Sequence, residues 1–350
     1  MKKVLPFVLL CFLYQPVLAC TTFCINKNGH IVFGRNYDWV TGAGIIYTNQ
    51  RGLFKTSMNT GNGATASWIS RYGSITFNQY GKEFPTGGMN EKGLVVELMQ
   101  LDETVYPAAD DRPAVGMLQW IQYQLDNSAS TAEVIASDAL IRIKEKGPLI
   151  HYLVADAEGN VATIEFLNGK MTVHKDESLP FPVLTNNTYA SSVEVTKRWI
   201  GKNVSLQNNS LDRFVKACGM LKKFNETNMD MPVTDFAFSI LDEVAQGNFT
   251  RWSIVYDINN KKIHFKTEAN KEIKTVQFAV FDFACNLPSR MLNMNQDLKG
   301  DVSRNFTLSD KKLKRQIMDQ VVLESSSRVS ITKKEEDELL AFEEGIDCGK

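Results

Sequence analysis

Histidine is scarce, paired cysteine motifs are missing and net charge is almost nil, and each shortage removes a class of function. The four histidines, His30, His151, His174 and His264, lie far apart and form no HExxH motif. No Cys-x-x-Cys occurs, and Cys20 and Cys24 have no His or Cys partner at zinc spacing. No structural metal is expected. Lysine and arginine number 39 against 40 acidic residues, a formal charge of −1, so the basic excess of a nucleic-acid binder is lacking. Past residue 19 no apolar run nears the roughly 18 residues a membrane helix needs. There is no internal repeat and no Gly/Ser/Pro-rich linker, which argues for one domain. What is present is core material. The chain is 43% hydrophobic and 10% aromatic, enough for a large interior and too much for a disordered chain.

The first residues form a separate object. Lys2 and Lys3 precede an apolar run from Val4 to Tyr14, broken by Gln15-Pro16 and followed by Val17-Leu18-Ala19. This is the layout of a signal peptide, residues 1–19, whose apolar part is too short to span a bilayer. An exported protein, periplasmic or extracellular, is expected. Cys20 follows directly. Val-Leu-Ala-Cys fits a bacterial lipobox, whose cysteine is lipidated, and it also fits ordinary cleavage that leaves a free N-terminal cysteine. These four residues alone leave both readings open. Removing residues 1–19 takes Cys11 away and leaves Cys20, Cys24, Cys218, Cys285 and Cys348. The odd number points to at least one unpaired thiol.

The mature chain opens with β signals. Thr21 to Ile25 and His30 to Gly34 read as strands joined by the turn Asn28-Gly29, two residues that tolerate positive φ. Asn90 to Gly93 is a second turn, feeding a strand from Leu94 to Met99. Helices are expected from Pro113 to Leu125, with Pro113 in the first turn, and from Thr131 to Ile143, with Ser130 or Thr131 as cap. A meander follows: Leu149–Ala155, Val161–Phe166 and Met171–His174, with turns at Glu158-Gly159-Asn160 and Asn168-Gly169. Arg213 to Phe224 reads as a helix. Trp252–Asp257 and Ile263–Thr267 pair across Asn259-Asn260, and Thr275–Phe283 is a further strand. Strands, then helices, then strands indicate an α+β layered domain over residues 20–310. Residues 311–350, charged at Lys311–Arg315 and Lys333–Glu344, read as a solvated helical tail.

An N-terminal cysteine combines nucleophile and base in one residue. The thiolate is strongly nucleophilic, and an α-amine titrates near 7.7–8.0 unperturbed, so it accepts the thiol proton near neutral pH. The amine must be free, and cleavage between Ala19 and Cys20 frees it in one step.

Cys20-Thr21-Thr22-Phe23, followed by Phe33-Gly34-Arg35-Asn36-Tyr37-Asp38-Trp39, resembles the start of the choloylglycine hydrolase and penicillin V acylase family. Gly88-Met89-Asn90-Glu91-Lys92-Gly93-Leu94, Val183-Leu184-Thr185-Asn186, Asp212-Arg213-Phe214-Val215-Lys216 and Thr250 to Asp257 are similar to later family segments, in the same order. The resemblance implies a four-layer αββα N-terminal-nucleophile hydrolase sandwich that cleaves linear, non-peptide C–N amide bonds without a cofactor. It implies Cys20 as nucleophile and Arg35 and Asp38 as the pair that orients it, with Asp38 on the α-amine. Asn186 and the Gln100 backbone N–H would form the oxyanion hole, and Arg213 would support this network. It also allows a homo-oligomer, a tetramer by that likeness.

Taken singly, each residue has a plainer reading. Arg35 and Asp38 make a surface ion pair, Asn186 a turn, Gln100 a strand end and Arg213 a helix-start charge; their joint order after Cys20 favours the site. Asn90 with Gly93 reads as a turn determinant and His151 as structural. Tyr37, Trp39 and Met99 are the expected substrate contacts, with Tyr37 the better probe because Trp39 reads equally as core. The expected partner is a small N-acyl amide with a bulky apolar acyl group, of the conjugated bile salt, penicillin V or acyl-homoserine lactone type. Gln100 and Tyr37 depart from residues common in the family, so sequence does not separate these three. Two other functions share the scaffold: a lipid-anchored binding protein with Cys20 acylated, and an acyltransferase using the same nucleophile.

Overall fold

The computed structural model describes residues 20–58, 64–144, 147–202, 206, 209–227 and 231–349. The expected signal peptide, residues 1–19, lies outside the described residues. Asn28 and Gly29 adopt φ of 54° and 83° and close Thr21–Lys27 and His30–Asp38 into an antiparallel hairpin. Thr250–Asp257 pairs with the second of these strands and Lys262–Thr267 follows it. Val183–Leu184 flanks the first strand, and Lys274–Gln277 and Gly300–Asp301 complete the far edge, giving seven strands. The second sheet has nine strands. Its centre is Ile150–Ala155, Val95–Gln100, Pro85–Asn90, Ser74–Asn78 and Ile45–Asn49, each antiparallel to the next.

The period of two along each strand sorts side chains into layers. Val95 and Met99 face the first sheet and share a buried cluster with Phe23, Phe33 and Ile254. That cluster continues into Phe214, Phe236 and Leu241 of the helices Asn209–Glu226 and Val233–Glu243. Val96 and Val154 face the other way, against Trp120, Ile121 and Leu125 of helix Met117–Asn127 and Val134 of helix Thr131–Ala136. The layers run helix, sheet, sheet, helix, the αββα sandwich the sequence implied. Each such side chain contributes about 1.5–3 kcal/mol on burial.

Several element boundaries differ from the sequence reading. The helix expected from Pro113 starts at Met117, because Ala114–Val115 is drawn into a short parallel ladder with Arg142–Ile143 and Gly116 stays extended. The same ladder ends the next helix early. Ser130 caps it by accepting from the Glu133 N–H, but it stops at Ala136, passes through a 3₁₀ turn and enters the strand Arg142–Ile143. The strand expected to reach Phe283 stops at Gln277, where a 3₁₀ turn begins. Asn90 is a turn determinant: its carboxamide donates to the Leu125 and Ser128 carbonyls and accepts from the Lys92 and Leu94 N–H groups.

The C-terminal segment is helical but not a free tail. Helix Lys311–Ser325 buries Ile317 and Val321 against Ala43, Ile45, Tyr47 and Met291. Helix Lys333–Ala341 follows, and the strand Asp347–Cys348 pairs with Leu53–Phe54. Cys348 forms a disulfide with Cys285, whereas Cys20, Cys24 and Cys218 are free and buried. Among the described residues, no helix is long and apolar enough to cross a membrane, and no cluster of three or more His, Cys, Asp or Glu side chains is placed to hold a metal ion.

Candidate active site

Cys20 stands immediately before the strand Thr21–Lys27 and lines a cavity of about 730 Å³ with Tyr37, Asp38, Trp39, Gln100 and Asn186. It is 5% exposed. Pairing of Thr21 with Asn36 sets the next residues of the hairpin, Tyr37 and Asp38, beside it. The thiol lies 4.0 Å from the Asp38 carbonyl oxygen. Burial pushes the thiol above its ordinary pKa and the Asp38 charge adds to this, while Arg35, the Asp38 backbone contact and Arg213 pull it down.

Arg35 and Asp38 are both buried, so neither is a surface charge, and they do not pair with each other. On the strand His30–Asp38, alternation sends Arg35 between the sheets, where it forms a fully buried ion pair with Glu97 and donates to the Thr86 carbonyl at 2.9 Å. Its guanidinium also lies 4.7 Å from the centre of the Tyr37 ring. Glu97 accepts a second hydrogen bond from the Tyr256 hydroxyl. Gly87 faces Glu97 across the ladder, and a Cβ there would overlap its carboxylate. Glu97 had a signal in the sequence, a carboxylate inside an otherwise apolar strand, that motif matching passed over. Burial pushes its carboxyl up to about 7, against the pull of Arg35 and Tyr256.

Asp38 accepts from Thr250 Oγ1 at 2.5 Å and Gln246 Nε2 at 2.9 Å. Burial raises its pKa, with Arg213, Thr250 and Gln246 opposing. These two donors come from the loop and strand some 210 residues away in sequence; Thr250 opens a segment similar to the family's, but nothing in the sequence tied it or Gln246 to Asp38.

Asn186 and Gln100 meet at the cavity wall. Asn186 Nδ2 donates to the Gln100 carbonyl at 2.9 Å, and its Oδ1 accepts from Arg213 Nη2 at 3.0 Å. A carboxamide has two N–H bonds on one nitrogen, so one remains for a ligand. The Leu101 N–H donates to Leu149, and alternation then turns the Gln100 N–H to the opposite side. On that side the ladder with Pro85–Asn90 has already ended at Gly87–Glu97. The Gln100 side chain donates to Asp102, which lines the same cavity.

Arg213, on the first turns of helix Asn209–Glu226, ties the cluster together. Its Nη1 donates to the Cys20 carbonyl at 2.6 Å and to Thr21 Oγ1, and its Nε to Asn209 Oδ1 at 2.8 Å. Burial lowers its pKa and the charges of Asp38 and Cys20 raise it. His151 is structural here. Its Nε2 donates to the Thr185 carbonyl at 2.7 Å, next to Asn186, and Nδ1 lies 3.2 Å from Glu165.

Among the expected substrate contacts, Tyr37 and Trp39 line the cavity and Met99 does not. Met99 is fully buried between the sheets, with the Thr22 hydroxyl 3.3 Å from its sulfur. Period two explains this: if Gln100 faces the cavity, then Leu98 joins it and Met99 points away. Tyr37 stacks on Trp252 at 4.4 Å between ring centres and donates to Gln79 at 2.7 Å. It belongs to the core as much as to the cavity, and half-buried Trp39 is the freer of the two.

Cys20 to Lys222 matches the linear amide C–N hydrolases of the choloylglycine hydrolase family. The penicillin V acylase of Pectobacterium atrosepticum is 27% identical over 317 residues, covering 76% of this chain and 83% of that protein. The structure of a penicillin V acylase from Agrobacterium tumefaciens superposes with a TM-score of 0.72 at 25% identity, covering 83% of this chain and 98% of that one. A variant of the conjugated bile acid hydrolase from Clostridium perfringens shares the fold, with a TM-score of 0.66 at 16% identity over 80% of this chain and 98% of that one. The chain belongs to the choloylglycine hydrolase family and is a linear amide C–N hydrolase.

Proposed function

We propose that this protein is exported, that cleavage before Cys20 frees its amine, and that Cys20 then hydrolyses N-acyl amides through a thioester. The observation that carries this reading is the convergence of Cys20, Asn186 and Gln100 on one apolar-walled cavity. The α-amine takes the thiol proton, and the thiolate attacks the amide carbonyl. The tetrahedral oxyanion is held by the free Asn186 N–H and the Gln100 N–H, donors of a kind whose loss costs roughly 3–4 kcal/mol. Collapse expels the amine with the proton held by the terminal ammonium. Water, deprotonated by the same amine, then cleaves the thioester and releases the acid. Asp38 holds the amine, and Arg213 fixes both the Cys20 carbonyl and the orientation of Asn186.

The acyl group lies against Trp39, Tyr80, Phe84, Leu98 and Ile150, so it is bulky and apolar, and the leaving amine is small and polar. Penicillin V, conjugated bile salts and long-chain acyl-homoserine lactones are the three forms that fit. Position within the fold speaks against lipidation. Cys20 leads straight into an interior strand of the sheet, and a membrane anchor there would leave no tether.

The test is hydrolysis of a panel of these three amide types by the mature protein and by Cys20→Ala. Turnover of at least one, lost in the variant while the fold is kept, supports the reading. Added lipid mass on Cys20, or transfer to an added amine in place of hydrolysis, would replace it with the anchored or acyltransferase alternative.

A further inference from the structure

One wall of the Cys20 cavity comes from the far end of the chain. Val329, Ile331 and Leu339 line it together with Phe84 and Met117, although the family match ends at Lys222. The three aliphatic residues are half-buried rather than packed away, as expected of side chains facing a cavity.

The segment that carries them is anchored on both sides. Before it, helix Lys311–Ser325 is seated through Ile317 and Val321. After it, the Cys285–Cys348 disulfide and the pairing of Asp347–Cys348 with Leu53–Phe54 hold the chain end. Between these anchors the turn is shaped by the Arg328 and Val329 N–H groups donating to the Ser325 carbonyl, and by Thr332 and Glu335, which form a capping box for helix Lys333–Ala341. Phe342 packs on Phe84 at 5.4 Å between ring centres, and a Cβ at Gly81 would stand 2.9 Å from the Leu339 carbonyl. The wall is therefore fixed against the body of the protein at the cavity itself.

We propose that residues 328–331 with Leu339 form a wall that selects, by length, the apolar chain entering the Cys20 cavity. This rests on the acyl-amide reading above and adds the determinant of acyl length. A single methylene in an apolar pocket discriminates by about tenfold or more, so trimming one aliphatic residue is enough to move the preference.

The experiment compares wild type with Ile331→Ala, Val329→Ala and the double variant Cys285→Ser/Cys348→Ser. One arm measures kcat/KM over straight-chain N-acyl-homoserine lactones from butanoyl to dodecanoyl. The other measures Cys20 alkylation by N-alkyl maleimides of the same chain lengths, with Cys20→Ala as the blank. The alanine variants should raise the ratio of longest to shortest chain by about tenfold in both arms, and loss of the disulfide should move it in the same direction. A maleimide shift without any lactone turnover supports the wall and counts against lactones as substrates. Unchanged length ratios in both arms, in variants with wild-type circular dichroism, overturn the proposal.

Discussion

At the scale of single residues, the site is a set of buried polar groups that hold one another in place. Asn186 is held by Gln100 and Arg213 and keeps one N–H, which the proposed mechanism gives to the oxyanion. Asn186→Ala should therefore lower kcat by about 10²–10³ with little change in KM, because that bond is strongest in the transition state. Asp38→Asn keeps the shape but removes the charge proposed to hold the amine, and it should act in the same way. Steady-state kinetics separate the outcomes, and a change confined to KM would make both residues substrate contacts. Glu97 gives a different test. Its carboxyl is raised to about 7, so between its ordinary value and that point the folded state binds the proton and the unfolded state does not. Its contribution to stability is then present in mild acid and lost as pH rises through about 7. The melting temperature should fall from about pH 5 to about pH 8 on this account. Glu97→Gln, which keeps the shape of the protonated acid and cannot ionise, should flatten that slope.

At the scale of elements, what was legible in the sequence followed locality. The Asn28-Gly29 hairpin, the Asn90 turn and the meander from Ile150 to Lys175 rest on neighbours in sequence, and their residues carry the signal themselves. The helices around residues 113–143 were misjudged because a parallel ladder between Ala114–Val115 and Arg142–Ile143 takes residues from both, a pairing that local propensity does not encode. Met99 was placed on the wrong side by one residue, which in a strand means the opposite face. The motif residues Cys20, Asp38, Gln100 and Asn186 do meet at one cavity. Glu97, Thr250 and Gln246, which hold Arg35 and Asp38, come from other strands and loops and were not found. The choice of acyl-pocket probe also changes. Tyr37→Ala would empty a stack on Trp252 and cost about 3–5 kcal/mol of stability. Trp39→Ala is the cleaner variant. It should shift the ranking of acyl groups by about tenfold, roughly 1.4 kcal/mol, and leave the ranking of leaving amines alone. Competition assays with mixed substrates read this directly, and a moved amine ranking would place the acyl pocket on the other side of Cys20.

At the scale of the whole molecule, the design is two sheets pressed face to face, with Cys20 at the start of an interior strand. A nucleophile at a chain terminus needs such a frame, since a loose end would sample many positions. Such a frame is compatible with the proposed activation by one proteolytic event, which would remove only the peptide bond before Cys20. A protein made with one extra residue before Cys20 should fold with an unchanged melting temperature and be inactive until that residue is trimmed. The C-terminal helices extend the same frame over the cavity, and the Cys285–Cys348 disulfide ties the last residues back to the segment after the strand Lys274–Gln277. The central claim, that Cys20 with its own free amine forms the acyl-enzyme, is tested most directly by acid-quenching the active protein during turnover and mapping its peptides by mass. The account predicts a first peptide that begins at Cys20, has an unblocked amine and carries the acyl group as a thioester on that residue. Active protein whose first peptide begins elsewhere, or bears lipid, or never carries the acyl mass, would contradict it.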